Sequence, residues 1–399
     1  MRAIVQALVI GGGIAGGAVA AHLARAGRKV ILIERKGSPQ DKVCGEFISY
    51  EAVRYLRGLG IDLAALGAVP ISAVNIYTSR AAVGSQLPFP AVSVSRMALD
   101  EAILREASAC GADLLRGHAA RSLRPLGDGW VAELDDGGMV LAADAFLATG
   151  KHDLRGWRRR PGWQNDLIGF KMHWRVTKAR IATLNSCVEL FLFHGGYAGL
   201  ELVENGLANL CLVVRRRRFA ELENRWDLLL AALRAELLPL HQMLVDAEPC
   251  SDRPLAIASI PYGLVQSSSN GPWHLGDQAA VIPSFCGEGI AVALHSARMA
   301  AEYYMMGKSA SDFQTDLASD LAKQVCGATL LSQMLVRPAG QTTAMAIAQL
   351  VPCLISQIAS GTRIPSGRLT AANVRMKPRR ARAGRLIANG NPQNRGIPI

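Results

Sequence analysis

Residues 4–10 (IVQALVI) form a short apolar run, residues 14–26 are small side chains with helical spacing, and residues 29–34 (KVILIE) form a second apolar run. Together they predict a β-α-β unit of roughly thirty residues. Further on, the pattern predicts a helix at 50–58 and a strand near 72–78 that reaches VSVSR (92–96) through a proline-containing turn. A helix carried by Met97, Leu99, Ile103 and Leu104 follows, then strands at 112–116, 130–135 and 139–148. From 166 to 214 the pattern changes to strands and hairpins, with Asn205-Gly206 as the turn between LELV and LANLCLVV. Leucine-rich helical spacing covers 219–246, strands are expected at 255–260 and 273–276, and helices run from 288–305 to about 360. Gly, Pro, Asn and Arg dominate afterwards and predict a loose tail.

A chain of 399 residues, half of them hydrophobic, is long enough for two or three packed units and too apolar to be disordered. The net charge of +12 is unevenly placed, because residues 321–399 hold eleven basic residues and no acid, leaving the first 320 nearly neutral. An excess at one end suggests an anionic partner. A membrane surface is expected rather than nucleic acid, since no Phe, Tyr or Trp follows Phe313 to stack on bases. The uncharged stretch from Pro338 to Thr362 contains Pro, Gly and Gln, and predicts a helix on the bilayer or packed on the body rather than a span. Eight scattered cysteines without C-x-x-C spacing argue against a structural zinc site and a disulfide scaffold. His152, His194 and His295 also lack metal-ligand spacing, so no metal is expected. The opening MRAIVQALVIGGG has too short an apolar run for a signal peptide and leads into a motif that needs it as a strand. The expected location is cytoplasmic, with peripheral contact at the inner face of the membrane.

That motif, VIGGGIAGG, sets Gly11, Gly13 and Gly16 in G-x-G-x-x-G register between strand and helix. The first glycine permits the tight turn, the second lets the backbone approach a pyrophosphate, and the third lets helix and strand pack closely. Glu34 closes the second strand where a carboxylate can accept from a ribose, and Arg35 beside it joins the predicted cofactor set. The motif leaves NAD and FAD open. A dehydrogenase would continue with further β-α-β units, whereas VCGEFIS (43–49) and a long mixed region follow here.

Residues 273–302 read WHLGDQAAVIPSFCGEGIAVALHSARMAAE, with a strand ending at Gly276-Asp277, a loop holding Pro283, and a helix starting at Gly287-Glu288-Gly289. This arrangement resembles the C-terminal FAD motif of the aromatic-hydroxylase and geranylgeranyl-reductase flavoprotein superfamily, and the resemblance covers most of residues 1–310 through four separated motifs. It implies FAD as cofactor, with Asp277 on the ribityl chain and Gly287, Gly289 and Ile290 facing the ring. A helix N-terminus there would stabilise anionic reduced flavin. It also implies that Arg96 reaches the FAD phosphates. Thr149-Gly150 stands where the family has Asp-Gly, so Gly150 is carried over as a cofactor residue and an aspartate contact to NADPH is not. Cys44-Gly45 matches a Cys-Gly pair beside the isoalloxazine, with Glu46 adjacent. The thiol would tune or protonate a substrate, or else be a small buried filler. Cys44 and Cys286 are expected to approach each other beside the flavin.

Residues 191–214 are expected to give two strands of a sheet roofing the flavin. Where geranylgeranyl reductases often have Y-x-W-x-F-P, this chain has Gly195-Gly196-Tyr197-Ala198-Gly199, and Tyr197 would stack on a ligand, donate a hydrogen bond, or sit half-buried in the strand. The W-x-W-x-I-P string of flavin halogenases is absent, which disfavours halogenation. Arg155 with Arg158 to Arg160, and Arg215 to Arg218, would meet an NAD(P)H phosphate or an acidic carrier, or be solvated strand ends.

The resulting expectation is an α/β protein. A Rossmann-like FAD-binding domain (1–70, 92–155, 270–310) carries an inserted mixed β-sheet substrate domain (71–91, 156–269), a C-terminal helical segment (311–362) and a basic tail (363–399). The leading expected function is an NAD(P)H-dependent monooxygenase that hydroxylates an apolar or aromatic substrate through a flavin C4a-hydroperoxide, with Cys44, Glu46 and Tyr197 as catalytic candidates. The alternatives are a reductase of isoprenoid or lipid double bonds and a flavoprotein that modifies a partner polypeptide.

Overall fold

The structure is a computed structural model that describes residues 5–364. Strands β1 (Val5–Ile10), β2 (Val30–Glu34), β6 (Asp113–Arg116), β9 (Met139–Leu147) and β16 (Trp273–His274) are mutually parallel neighbours. The antiparallel strands β7 (Ala120–Leu126) and β8 (Gly129–Leu134) extend them into one sheet of order β6-β2-β1-β9-β8-β7. Helix α1 (Ile14–Arg25), made almost wholly of Ala, Gly and aliphatic residues, is buried along nearly its full length and packs on α3 (Arg96–Ala109) and α8 (Gly289–Met306). Small side chains are what let three helices and a sheet approach this closely.

Register explains why separated motifs converge. Ile10 pairs with Ile33 on one side and Leu147 on the other, and Leu147 pairs with His274. The carboxyl ends of β1, β2, β9 and β16 therefore lie along one edge, where ligands of open parallel sheets bind. Each is followed within three residues by a predicted cofactor residue: Gly11, Arg35, Gly150 or Gly276-Asp277.

The second sheet joins β3 (Phe47–Ile48), β4 (Val69–Tyr77), β5 (Ala82–Ser93), β10 (Leu167–Arg175), β11 (Ser186–Phe193), β12 (Gly196–Leu202), β13 (Leu207–Arg215), β14 (Glu248–Pro249) and β15 (Leu255–Ala258). Alternate residues of its central strands, among them Phe170, Met172, Leu200, Leu210 and Leu212, form one core with α4 (Lys178–Leu184), α5 (Arg216–Glu221), α6 (Trp226–Glu236) and α7 (Leu238–Leu244). The remaining helices are α2 (Tyr50–Leu59), α9 (Ala310–Leu335), α10 (Pro338–Leu350) and α11 (Cys353–Gly361). The last two meet at 115°, and no single described helix is long and apolar enough to cross a membrane.

Several expectations are corrected. The turn before 92–96 lies at 78–81, where Thr78 N–H donates to Ala81 O, and the prolines of PFP fall inside strand β5. Between the Ile71↔Ala91 and Ala73↔Gln86 pairs the register shifts, so residues 87–90 bulge out and Pro88 and Pro90 forfeit no ladder bond. Residues 191–214 contribute to three strands rather than two, with Gly195 (φ 85°) turning the chain between β11 and β12. Strand β7 and helix α4 had no prediction. Arg363 and Ile364, assigned to the tail, belong to the body, since Ile364 is 2% exposed and Arg363 bonds Glu288. The rest of the expected tail, from 365 on, lies outside the described residues.

Candidate active site

Gly11 and Gly16 are required by contact: a Cβ on Gly11 (φ 107°) would lie 2.4 Å from Ala148 O and one on Gly16 1.8 Å from Gly11 O, whereas Gly276 is favoured by its φ of 54°. Gly13, Gly45, Gly150 and Gly289 face open space instead, since an added Cβ at any of them meets nothing closer than 3.5 Å. At Gly13 the nearest atoms are Lys42 Nζ and Arg96 Nη2, so the backbone that would approach a pyrophosphate looks onto two cations. Both are held by Asp100, Lys42 at 2.6 Å and Arg96 through two bonds of 2.9 and 3.0 Å. Burial works against the Arg96 charge, but Asp100 and Cys44 beside it keep its pKa above the ordinary value.

Glu34 Oε2 accepts from Gly12 N–H at 2.7 Å and Oε1 from Lys36 N–H at 2.9 Å, which sets its carboxylate against the glycine loop. Arg35 is exposed at the end of β2. Asp277 is placed by its backbone: its carbonyl accepts from Arg159 (2.9 Å), which also binds Asp153 and Lys151 O. Its half-buried carboxylate takes no hydrogen bond from the described residues, and neighbouring Gln278 has a buried Oε1 without a partner. Gly287 (φ 69°) lies against the Phe47 ring, where a Cβ would come within 2.4 Å, and Pro283 opens the turn leading to it. Ile290 is buried on α8. The open path along Gly13, Gly45 and Gly289, two cations at one end, a carboxylate free for ribityl hydroxyls and a helix start at the other fit FAD.

Cys44, Gly45 and Glu46 form a clamped loop. Glu46 adopts φ 64°, a conformation costing about 1–3 kcal/mol for a residue with a side chain, and its fully buried carboxylate over-determines it. The carboxylate accepts from Arg96 N–H at 2.7 Å, His173 Nε2 at 2.7 Å and Lys171 Nζ. Asp41 completes the cluster, accepting from Lys171 at 3.1 Å and facing His173 Nδ1 at 3.6 Å. Burial opposes the His173 charge, but Asp41 and Glu46 raise its pKa to about 9, so two cations face two anions. Asp41, Glu46 and His173 bring ligand-type atoms within 4.8 Å of one another, and the Lys171 ammonium supplies positive charge to both carboxylates. Cys44 Sγ accepts from Glu46 N–H (3.3 Å), and Cys44 O accepts from Asn209 Nδ2 (3.2 Å).

Cys44 and Cys286 are both free thiols. Cys44 faces Arg96, whereas Cys286 is buried near Glu288 and Arg363, where burial pushes its pKa well up.

Beyond the loop lies a cavity of 260 Å³. Its walls are apolar residues of the second sheet and of α9, α10 and α11, with Gly45, Phe47 and Gly287 at one end. Tyr197 lines it, buried, with its ring edge-on to Phe285 and its hydroxyl 3.2 Å from Ser284 Oγ. Arg363 reaches across from the end of α11 to bond Glu288 and lies 3.7 Å over the Phe89 ring.

Sequence reasoning missed the polar floor. Strand pairing sets Glu201 opposite Asn209 and Asn209 opposite His173; one step along, Gly199, Cys211 and Lys171 share a row. These residues occupy the face opposite to the strands' apolar core. The available signal was a set of polar residues two apart (Lys171 and His173, Gly199 and Glu201, Asn209 and Cys211) in strands whose other face is apolar. Burial, and then the Glu46 charge, hold the Glu201 carboxyl well above the usual carboxylate range, although Asn209, Lys171 and His173 pull it down.

The family model of the FAD binding domain matches residues 4–139. The menaquinone reductase of Mycolicibacterium smegmatis is 29% identical over 329 residues, 77% of this chain and 78% of that protein. The squalene monooxygenase of Eremothecium gossypii is 42% identical over 60 residues, 15% of this chain and 12% of that protein. Among solved structures, the flavin-dependent brominase Bmp2 superposes with a TM-score of 0.73 at 16% identity, covering 92% of this chain and 98% of its own. Halogenase PltM with phloroglucinol and FAD gives 0.72 at 16%, covering 94% and 87%. At such identities these two structures share the fold alone.

Proposed function

We propose, from the premise that this chain belongs to the superfamily of FAD-dependent oxidoreductases, that it reduces a carbon–carbon double bond in the isoprenoid chain of an apolar lipid such as a quinone. The cavity carries this reading. Its apolar walls begin at Gly45 and Gly287 and end under α10 and α11, whose turn exposes Leu350 (82%) and Val351 (46%). A long apolar ligand gains by burying its chain there, and an exposed apolar turn above it is suited to drawing such a ligand from a membrane surface. The basic excess after residue 320 favours the same anionic face, the inner one. Identity to menaquinone reductases over three quarters of the chain supports the substrate class.

Reduced FAD supplies two electrons and one hydrogen to this reaction, and NAD(P)H is the proposed reductant. The rest falls to the protein. The Asp41, Glu46, Lys171 and His173 cluster fixes the Cys44–Gly45 loop, the apolar walls exclude water, and Phe47 and Tyr197 define by shape where the alkene rests.

Hydroxylation of an apolar substrate is the second reading, favoured by the short match to squalene monooxygenase. A polypeptide docked through the arginines has less support, because Arg159, Arg215 and Arg218 are engaged by Asp153, Asp166 and Glu221. The test is to reduce the holoenzyme anaerobically with NADH or NADPH, add a short-chain isoprenoid quinone, let air return any quinol to quinone after the enzyme is removed, and weigh the product. Gain of two hydrogens that survives this reoxidation and lies in the chain fragment supports reduction. No anaerobic product, with gain of one oxygen in air, overturns it in favour of hydroxylation.

A further inference from the structure

We infer that Glu201 is the acid that hands a proton to the substrate carbon, an assignment that rests on the reductase reading above. Saturating an alkene adds two electrons and two hydrogens. One hydrogen arrives with the electron pair from reduced FAD; the other is a proton, which takes up the electron pair of the broken π bond as a new C–H bond. The cavity walls are mainly apolar, so a donor fixed on the wall is better placed to deliver that proton than bulk water.

The wall offers few donors. Tyr197 and Ser284 hydroxyls bond each other and Tyr262, and burial pushes the tyrosines up. Burial also pushes Cys211 up to about 12 and Cys286 well up, and Arg363 is engaged by Glu288. Glu201 is different in kind: a carboxyl group 2% exposed, lining the cavity, with Oε1 4.0 Å from where a Cβ on Gly45 would stand. It therefore sits at the loop expected beside the flavin. Burial holds its carboxyl well above the usual carboxylate range, the direction a proton donor needs. Once the proton leaves, the carboxylate retains the Asn209 N–H (3.2 Å) and the field of Lys171 and His173, and water restores the proton after product departs.

The test uses holoenzyme and the isosteric Glu201→Gln, which keeps an oxygen for Asn209. The variant should bind FAD and accept electrons from NAD(P)H at the wild-type rate, while single-turnover saturation of the isoprenoid chain under nitrogen, followed by product mass after the quinol is reoxidised, slows about 100- to 10,000-fold. Wild-type saturation should fall at high pH and the variant should lose that limb. The charged groups facing Glu201 are Glu46 in the loop and Lys171 and His173 on β10, with the thiols of Cys44 and Cys211 nearby. Independently of turnover, the infrared difference spectrum of FAD-free wild type minus Glu201→Gln at neutral pH should show a protonated carboxyl band that shifts in D2O; Glu288, which burial raises to about 8, is common to both proteins and cancels. Wild-type saturation with an equally fast variant, or no such band, overturns the assignment alone. A wild-type enzyme that leaves the lipid unsaturated overturns the reductase reading and the assignment with it.

Discussion

Replacing His173 by Gln removes one charge from the cluster beneath Cys44 and Gly45 while leaving an amide to donate to Glu46. In the folded protein Asp41 and Glu46 raise the His173 pKa from 6.5 to about 9 against the cost of burial. At 1.36 kcal/mol per pKa unit this is worth about 3 kcal/mol of stability. Because the folded pKa is the higher one, the contribution is complete below about 6.5 and is lost as pH rises through about 9. Urea unfolding followed by far-UV circular dichroism at about pH 6 and about pH 9.5 should find the variant less stable by about 3 kcal/mol at the lower pH, with most of the gap closed at the higher. His22 and His274, whose pKa values burial lowers to about 4, also make stability depend on pH, but they are common to both proteins and cancel in the difference. A gap of equal size at both pH values would refute the reasoning, since the loss would then be one of packing and not of charge.

Gly45→Ala adds a Cβ where the chain itself leaves space, so circular dichroism should be unchanged while turnover falls about 100-fold through misplaced flavin or substrate. Gly16→Ala drives a Cβ into Gly11 O, and its purified protein should carry no FAD absorbance. Cys44→Ala should retain FAD and lose turnover; an unchanged rate removes the thiol from the chemistry. Leu350→Asp with Val351→Asp should abolish flotation with vesicles containing anionic lipid and leave the melting temperature within a few degrees, because both side chains are exposed.

The cofactor residues could be proposed from the sequence because their signals are local. Gly11, Gly13 and Gly16 are constrained by their own turn, and Gly276-Asp277 and Gly287 by short stretches of strand, loop and helix. Each motif states its geometry within about ten residues. The substrate half was not legible. Glu201 reads in isolation as a stray acid in GLELV, and Lys171 and His173 as polar positions of a half-exposed strand. Pro88 and Pro90 misled the placement of the turn because a bulge can absorb prolines that a regular ladder cannot.

From the sequence alone followed the Rossmann-like dinucleotide unit, since period, glycine and chain order are properties of neighbouring residues; FAD and the Cys44–Gly45 loop as a place of interest followed from the resemblance of its motifs to a flavoprotein superfamily. Tertiary structure decided which residues that loop meets. Strand register brings Glu201, Asn209 and His173 into one row, and a shift of one residue in any pair would send its side chain into the apolar core. Burial and neighbouring charges then change what those groups are: burial holds the Glu201 carboxyl well above the usual carboxylate range, while Asp41 and Glu46 raise His173 to about 9 against burial. Neither shift is a property of the residue type; both come from desolvation and from charges that the fold brings from distant parts of the chain.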